Sequence, residues 1–226
     1  MKLKGYRYPK DIIQQSVRWY LRYSLSYRDR EEMLEERGVF VDHTSIFRWV
    51  IRLTPQLEAE FRKRKAPVGG RWRLDETYVK VKGQHRYLYR AVDKAGRTID
   101  FLLTARRDRA AALRFLEKAI GQNGLPELIN IDKSGANTAG IEDYNDAHEG
   151  VEIEIRQCKY LNNIVEQDHR NIKRRTRPML GFKSFRTARI VLGGIEVVHM
   201  LRKGQLASAA GDAQMTAAEA FNSLAA

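Results

Sequence analysis

The sequence predicts an α/β fold, in which a mixed five-stranded sheet with flanking helices is preceded by an all-α module. Two observations predict this class. Apolar residues recur at helical spacing through the first sixty residues, and runs rich in β-branched and aromatic residues begin at Arg71. From that point the patterns follow the order β-β-β-α-β-α-β-α. A chain of 226 residues, 43% of them hydrophobic, is large enough for one such domain and a small accessory module.

The N-terminal helices are delimited by local end signals. Pro9 precedes a first helix with one apolar face. A second helix covers about residues 27–37 and stops at Gly38, and Asp42 is a natural N-cap for a third, which we expect to end near Pro55. This arrangement is typical of a helix-turn-helix, although a plain three-helix bundle with a solvated polar face fits the pattern equally well.

The third helix carries polar side chains in its first turns, where a recognition helix contacts base edges in the major groove. The candidate DNA-contacting residues of this helix are His43, Thr44, Ser45 and Arg48. After it, the basic run at residues 62–65 leads into a linker that contains Pro67 and Gly69. We therefore assign residues 1–66 to a helix-turn-helix DNA-binding domain with its linker helix.

The patterns beyond the linker define the remaining elements. Strands are expected at 72–81, 87–92, 98–104, 128–131 and 151–155, and helices at 109–121, 141–148, 162–175, 184–202 and 215–224. The helix at 184–202 is apolar on one side and basic on the other. We assign residues 67–205 to the α/β domain with this basic helix, and residues 206–226 to an Ala-rich C-terminal tail.

The formal net charge of +13 favours a polyanionic partner, because Lys and Arg neutralise phosphates and release their counterions. Nucleic acid is the first candidate, while an anionic membrane surface or a merely soluble basic surface also fits the charge. No run approaches the ~18 apolar residues of a membrane helix, and residues 1–5 lack the apolar run of a secretion signal. The single cysteine, Cys158, makes neither an internal disulfide nor a zinc site. We expect a cytoplasmic protein.

Three acidic residues stand where composition does not predict them. Asp75 lies within the first strand, Asp132 follows the fourth strand directly, and Glu166 lies in the first turns of the helix after the fifth strand. In this strand order the first and fourth strands are neighbours, so the three carboxylates can converge at one edge of the sheet. Close carboxylates repel unless a cation lies between them, and Mg²⁺ prefers oxygen ligands. Two such ions, ~3.5–4 Å apart, support phosphodiester displacement.

Each acid also has an ordinary explanation. Asp75 could pair with a lysine, Asp132 could cap a turn, and Glu166 could be helix surface. Glu76 and Asp168 are rival acids, but Glu76 should point to the opposite face of its strand, and Asp168 lies two positions round the helix from Glu166. The joint placement of the three acids favours the metal site.

Three motifs resemble the DDE transposases of bacterial insertion sequences, in the small replicative branch that forms cointegrates. They are WRLDETYVKV at 72–81, IDK at 131–133 and YLNNIVEQDHRNIKR at 160–174. The segments LGFKSF at 180–185, RKGQ at 202–205 and VDHTSI at 41–46 fit the same branch. The resemblance covers about residues 8–205 and weakens in the tail.

The resemblance implies a ribonuclease H-like catalytic domain of the retroviral integrase superfamily, with Asp75, Asp132 and Glu166 as the catalytic, metal-holding acids. It implies two Mg²⁺ ions, for which Mn²⁺ would substitute, and nicking and strand transfer of double-stranded DNA, both element ends and target. Basic residues beyond Glu166 would contact phosphates: Lys173, Arg174, Arg175 and Arg177. A homodimer or higher oligomer on DNA and association with the bacterial nucleoid are further expectations.

Two other functions remain open at this stage. A DNA-binding regulator could keep the fold without catalysis, although the intact set of acids disfavours this. A ribonuclease or junction nuclease on the same fold is disfavoured by the helix-turn-helix and the long basic helix.

Overall fold

The computed structural model describes residues 7–207 and 215–225, with the backbone alone at residues 159 and 160. The described chain forms two compact units. The helical unit comprises the residues up to Ala66 and those from Arg174 onward, and the sheet unit comprises Pro67–Lys173.

Fourteen elements follow one another along the described chain. They are α1 (Lys10–Arg22), α2 (Tyr27–Glu35), α3 (His43–Lys63), β1 (Arg71–Val81), β2 (Gln84–Asp93), β3 (Thr98–Thr104), α4 (Arg109–Asn123), β4 (Leu128–Ile131), α5 (Gly135–Ala147), β5 (Glu154–Gln157), a short 3₁₀ helix (Lys159–Asn162), α6 (Asn163–Thr176), α7 (Phe185–Arg202) and α8 (Ala217–Leu224). The predicted order of elements is therefore confirmed.

The first three helices begin at the residues that the start signals indicate, and α2 ends shortly before Gly38. Ser26 caps α2 in a reciprocal pair with Asp29, whose backbone N–H lies 3.1 Å from the Ser26 hydroxyl. Gly38 has a φ of +71°, the left-handed conformation that glycine adopts without strain, in the turn between α2 and α3. The Asp42 carboxylate accepts the backbone N–H of Thr44 at 2.8 Å and caps α3. The three predicted N-terminal helices are therefore present, and their role as a helix-turn-helix DNA-binding domain stays a prediction.

The predicted end of α3 near Pro55 is wrong, because the helix continues through this proline to Lys63. A proline inside a helix removes one hydrogen bond and costs ~3 kcal/mol. The apolar stripe that begins with Ile46 continues past it: Leu53, Leu57 and Phe61 are all at most 1% exposed. Burying such a side chain gains ~1.5–3 kcal/mol, so the stripe offsets the cost of the proline.

The sheet has the strand order β3-β2-β1-β4-β5. β1 pairs antiparallel with β2 and parallel with β4, and β5 adds to β4 in parallel. This is the mixed five-stranded arrangement of the ribonuclease H-like fold, and it makes β1 and β4 neighbours as predicted. Helices α4 and α5 pack closely together, because a Cβ on Gly140 would lie only 2.7 Å from the Cβ of Ala112.

Several elements of the sheet unit differ from their predicted bounds, and β5 and α5 are displaced most. β5 covers Glu154–Gln157 instead of 151–155, since it is a polar edge strand whose place is set by parallel pairing of Leu128 with Glu154. Ile153, just before it, is 2% exposed and joins the core, which explains the misleading apolar signal. α5 begins at Gly135, six residues before the predicted start, because its first turn carries few apolar residues.

Helix α7 belongs to the helical unit, whereas the sequence groups it with the α/β domain. Its Gly194 permits close packing, since a Cβ there would lie 2.6 Å from side-chain atoms of Leu21 in α1 and Thr54 in α3. A compact unit is a matter of packing, so the functional division at residues 66 and 205 stays a prediction. Among the described helices, none is long and apolar enough to cross a membrane.

Candidate active site

The three predicted acids line one cavity of about 490 Å³ in the sheet unit, together with Lys133, Gln157 and Asn162. Asp75 lies in the middle of β1, Asp132 is the first residue after β4, and Glu166 is the fourth residue of α6. The parallel pairing of β1 with β4 brings the first two together, and α6 supplies the third. The carboxylates therefore face a common space.

The electrostatics of Asp75 agree with this placement of the carboxylates. Burial, together with the negative charges of Glu76, Asp132 and Glu166, raises the pKa of Asp75 to about 7. Its carboxylate has a weak partner in His169, whose Nδ1 lies 3.5 Å from Asp75 Oδ2. Three acids that repel one another around a cavity make a site suited to a cation, because hard divalent ions take carboxylate oxygens.

The tightest cluster of ligand atoms lies outside the cavity. Among the described residues, only Glu31, Asp42 and His43 place three ligand atoms all within 4.8 Å of one another. The acids of the cavity are more widely spread than that, and their carboxylate oxygens are donors that hard divalent cations prefer.

The tighter cluster on the helix-turn-helix has internal partners. His43 Nδ1 lies 2.9 Å from Glu31 Oε2 and 3.5 Å from Asp42 Oδ2. Asp42 also caps α3 through the backbone of Thr44. These contacts explain the cluster as hydrogen bonding around one imidazole nitrogen.

The rival acids are neutralised by arginines. Glu76, whose side chain is 4% exposed, pairs with Arg107 and accepts a hydrogen bond from Asn137 Nδ2 at 3.0 Å. Asp168 pairs at 3.1 Å with Arg90, which is fully buried. Charges compensated in this way gain little from a metal ion, whereas Asp75 and Glu166 have no arginine or lysine ion pair among the described residues. The structure thus separates Asp75 and Glu166 from these neighbours, whereas Asp132 shares Arg107 with Glu76.

Asp132 is held differently from Asp75. Its Oδ1 accepts the backbone N–H of Ser134 at 3.0 Å, which fixes the carboxylate at the start of α5. Its Oδ2 lies 3.8 Å from Arg107 Nη2, and its side chain is 39% exposed. The carboxylate is therefore oriented by the backbone while one oxygen faces the cavity opening.

A buried asparagine network positions these acids, and the sequence reasoning missed it. Asn130 on β4 donates to Asn162 Oδ1 at 2.6 Å, and Asn162 Nδ2 lies 3.3 Å from the carbonyl oxygen of Leu74. Leu74 precedes Asp75, and Asn162 lies four residues before Glu166. The network therefore ties the start of α6 to the strand that carries Asp75. The sequence contained a signal for this network: Asn130 lies within an apolar strand, and a buried amide requires a polar partner.

His169 and Lys173 lie on α6 beyond Glu166. Burial, together with the charges of Arg90 and Lys173, lowers the pKa of His169 to about 3, so its imidazole is neutral at pH 7. Lys173 Nζ lies 5.2 Å from the centre of the Tyr78 ring, a cation–π contact. His169 therefore acts beside Asp75 as a neutral hydrogen-bonding group.

The predicted DNA-contacting residues differ in accessibility. On α3, Thr44 and Arg48 are exposed, Ser45 is half-buried, and the half-buried His43 is paired with Glu31. On and after α6, Arg174 and Arg177 are exposed and Lys173 is half-buried. Arg175 is only 5% exposed, so its place in the predicted phosphate track requires access that its neighbours restrict.

The chain is similar in sequence to known transposases. A family model described as a DDE domain, of the IS240 transposase type, matches residues 69–205. The transposase for insertion sequence-like element IS431mec of Staphylococcus aureus is 40% identical over 198 residues, 87% of both chains. The transposase of element IS257 in transposon Tn4003, also from Staphylococcus aureus, has the same identity and coverage.

Two solved structures show a similar arrangement of elements. The HTLV-2 integrase catalytic core domain in complex with magnesium aligns with a TM-score of 0.46 and 16% identity, covering 68% of this chain and 96% of that one. A chain of a simian T-cell lymphotropic virus intasome aligns with a TM-score of 0.48 and 17% identity, covering 70% of this chain and 56% of that one. The family match and the identity to the staphylococcal enzymes decide the assignment: the chain belongs to the DDE transposases of bacterial insertion sequences, a family of polynucleotidyl transferases.

Proposed function

We propose that this transposase binds the terminal inverted repeats of its element, nicks their 3′ ends and joins those ends to target DNA. The observation that carries the proposal is the group of three carboxylates, Asp75, Asp132 and Glu166, around one cavity. In both steps an oxygen nucleophile, first water and then the freed 3′-hydroxyl, displaces an oxygen leaving group at phosphorus. No covalent protein–DNA intermediate is required.

Asp75, Asp132 and Glu166 would hold two Mg²⁺ ions, for which Mn²⁺ would substitute. Bound ions of this kind activate an attacking oxygen and stabilise the leaving one. The chain's own groups prepare the site for them. Asp132 is oriented by the Ser134 N–H, while neutral His169 contacts Asp75 without adding a competing positive charge.

End recognition is assigned to the helix-turn-helix. Thr44 and Arg48 are exposed at the start of α3, where side chains of a recognition helix reach base edges. His43 would have to break its contact with Glu31 before it could contact a base. Ser45 is half-buried, so it would contact DNA only through its exposed part. Lys173, Arg174 and Arg177 are assigned to phosphates. Because two element ends must be cut together, a dimer or larger assembly on DNA is part of the proposal.

The test uses labelled duplexes that carry the element ends, with Mg²⁺ or Mn²⁺. Wild type is compared with Asp75→Asn, Asp132→Asn and Glu166→Gln. Each substitution is expected to lower nicking and joining by roughly 10³-fold or more, because each removes several kcal/mol of transition-state stabilisation. End binding should remain.

The matched control is Glu154→Gln on β5, which removes an exposed carboxylate of the same unit. It should nick and join like wild type. Unchanged chemistry in all three cavity variants would reject the proposed function.

A further inference from the structure

Four arginines gather in the helical unit, where three helices end. Arg22 is in the last turn of α1, Arg202 is in the last turn of α7, and Arg174 and Arg175 are in the last turn of α6. The Ser24 hydroxyl, just beyond α1, donates to the carbonyl oxygen of Arg174 at 2.9 Å and fixes the end of α6 there. Residues far apart in the chain thus bring their guanidinium groups into one region.

The four guanidinium groups repel one another. Burial lowers the pKa of Arg22, and the charges of Arg202 and Arg174 lower it further. Burial also lowers the pKa of Arg175, with additional contributions from Arg22, Arg174 and Arg202. In the part of the chain that the structure describes, no carboxylate pairs with any of the four.

Favourable interaction with helix dipoles explains part of this arrangement. A cation in the last turn of a helix is stabilised by the carbonyl groups that end it. The helix dipole explains why Arg22 or Arg202 alone lies at a helix end, but it does not explain why four cations lie together. It also leaves Arg175 unexplained, since this side chain is only 5% exposed and three other arginines lower its pKa. A buried charge surrounded by like charges destabilises the fold.

We propose that Arg22, Arg174 and Arg202, together with the buried Arg175, form a binding site for the phosphate backbone of duplex DNA. Guanidinium groups suit this ligand, because their planar N–H pairs match two oxygens of a phosphate. A phosphate at the site neutralises the mutual repulsion that the free protein bears. The contact carries no sequence information, so it adds affinity and orientation to whatever the helix-turn-helix reads. The inference rests on the proposed function insofar as DNA is the substrate.

The experiment measures the affinity of the full chain for two labelled duplexes, an element end and an unrelated sequence of equal length, across a range of salt concentrations. Each phosphate contact contributes about 0.9 to the slope of log affinity against log salt, which amounts to roughly tenfold in affinity at 0.1 M salt. Arg22→Gln and Arg202→Gln should each lower the slope by about this amount for both duplexes. Arg202→Lys should retain the slope, since it keeps the charge.

The control is Arg62→Gln, the same substitution at an arginine of the helical unit whose charge is compensated by Glu58 at 2.7 Å. It should leave the slope unchanged and lower the melting temperature slightly. Arg22→Gln and Arg202→Gln should instead raise the melting temperature of the DNA-free protein, because they relieve repulsion. A higher melting temperature together with weaker DNA binding distinguishes a binding site from a structural cluster.

An unchanged slope in a folded Arg22→Gln, Arg202→Gln double variant would overturn the phosphate site. Weaker binding to the element end alone would overturn it too, since base recognition would then be involved. The proposed function fails by a different result, unaltered cleavage in the carboxylate variants. The two failures are therefore separable.

Discussion

The two units each contain a cluster of like charges, and the clusters are opposite in sign. In the sheet unit three carboxylates surround a cavity, and burial together with nearby negative charges raises the pKa of Asp75 to about 7. In the helical unit four arginines lie close together, and burial together with their repulsion lowers the pKa of Arg22 and Arg175. Each unit thus carries a charge excess that its own side chains leave unbalanced.

Two buried charges of the sheet unit are balanced internally. Arg90 and Asp168 form a buried pair, and Glu76 is matched by Arg107. The contrast shows that this chain can pair a buried charge when only the fold requires it. Like charges left together therefore point to ions from outside the chain: cations for the acids and DNA phosphates for the arginines.

The largest expected effect comes from breaking a balanced pair. Arg90→Met leaves Asp168 buried without its arginine, and removing one partner of a buried ion pair costs ~3–5 kcal/mol in the free energy of unfolding. Urea denaturation measures this loss. The control is Arg156→Met, which breaks an exposed pair with Glu154 at 3.3 Å and should cost less than ~1 kcal/mol. Equal losses in the two variants would show that Arg90 is not needed to balance Asp168.

Asp75→Asn should change the free energy of unfolding in the opposite direction from Arg90→Met, because it removes an unbalanced charge. The folded pKa of Asp75 is about 7, above its ordinary value of 3.8, so the folded state holds this proton more tightly than the unfolded chain does. In metal-free buffer the wild type should therefore lose stability as pH rises from about 4 to about 7, by at most ~1.4 kcal/mol for each pH unit. Urea denaturation at pH 5 and pH 7 measures the slope. Asp75→Asn should flatten it, and an unchanged slope would assign it to other groups.

Divalent ions should replace the proton as the balancing charge. At pH 7, Mg²⁺ at about 100 times its dissociation constant adds ~2.7 kcal/mol to the free energy of unfolding. Glu166→Gln should reduce this gain, whereas Glu154→Gln should keep it. Thermal unfolding with and without Mg²⁺ measures the gain in stability of each protein. An equal gain in wild type and both variants would show that the ion binds outside the cavity of the three acids.

The sequence predicted the acid cluster because acids are conspicuous in apolar strands. Asp75 lies in a buried strand pattern, and Asp132 ends a fully apolar run at 128–131. The bounds of β3 and β4 were predicted correctly for the same reason, since clear apolar runs end at polar residues. The site was predicted at the positions where a charged residue interrupts or ends an apolar strand pattern.

The residues of the arginine cluster do not interrupt any apolar pattern in the sequence. Arg22 and Arg202 each look like ordinary basic residues at a helix end, and only the packing of distant helices brings them together. Tertiary packing likewise explains why α3 continues past Pro55 and why β5 is displaced toward polar residues. These features depend on long-range contacts, which local periodicity does not contain.

The buried amide of Asn162 tests whether the acid cluster needs exact positioning. Asn162→Ala removes the hydrogen bonds that join the start of α6 to Leu74 and Asn130. Loss of such a supporting group typically costs 10–100-fold in metal affinity or activity, and we expect a loss of about this size. Mn²⁺ binding and the Mg²⁺ dependence of nicking measure it. Asn123→Ala, at the end of α4, is the control, and identical metal affinities in both variants would exclude a positioning role.

The smallest expected change in stability belongs to Lys173, a cation carried by the helix of the acid cluster. Its described contact is the ring of Tyr78, and an exposed cation–π contact contributes ~0.5–1 kcal/mol, so Lys173→Gln should unfold at nearly the same urea concentration as wild type. If Lys173 contacts a phosphate, the same variant should lower the salt slope of DNA binding by about 0.9. Tyr78→Leu removes the ring but keeps the charge, so it should retain the slope. A large loss of stability in Lys173→Gln would instead show that this lysine is an internal counterion of the acids. The acidic cluster would then be partly balanced, and its contrast with the arginine cluster would be weaker.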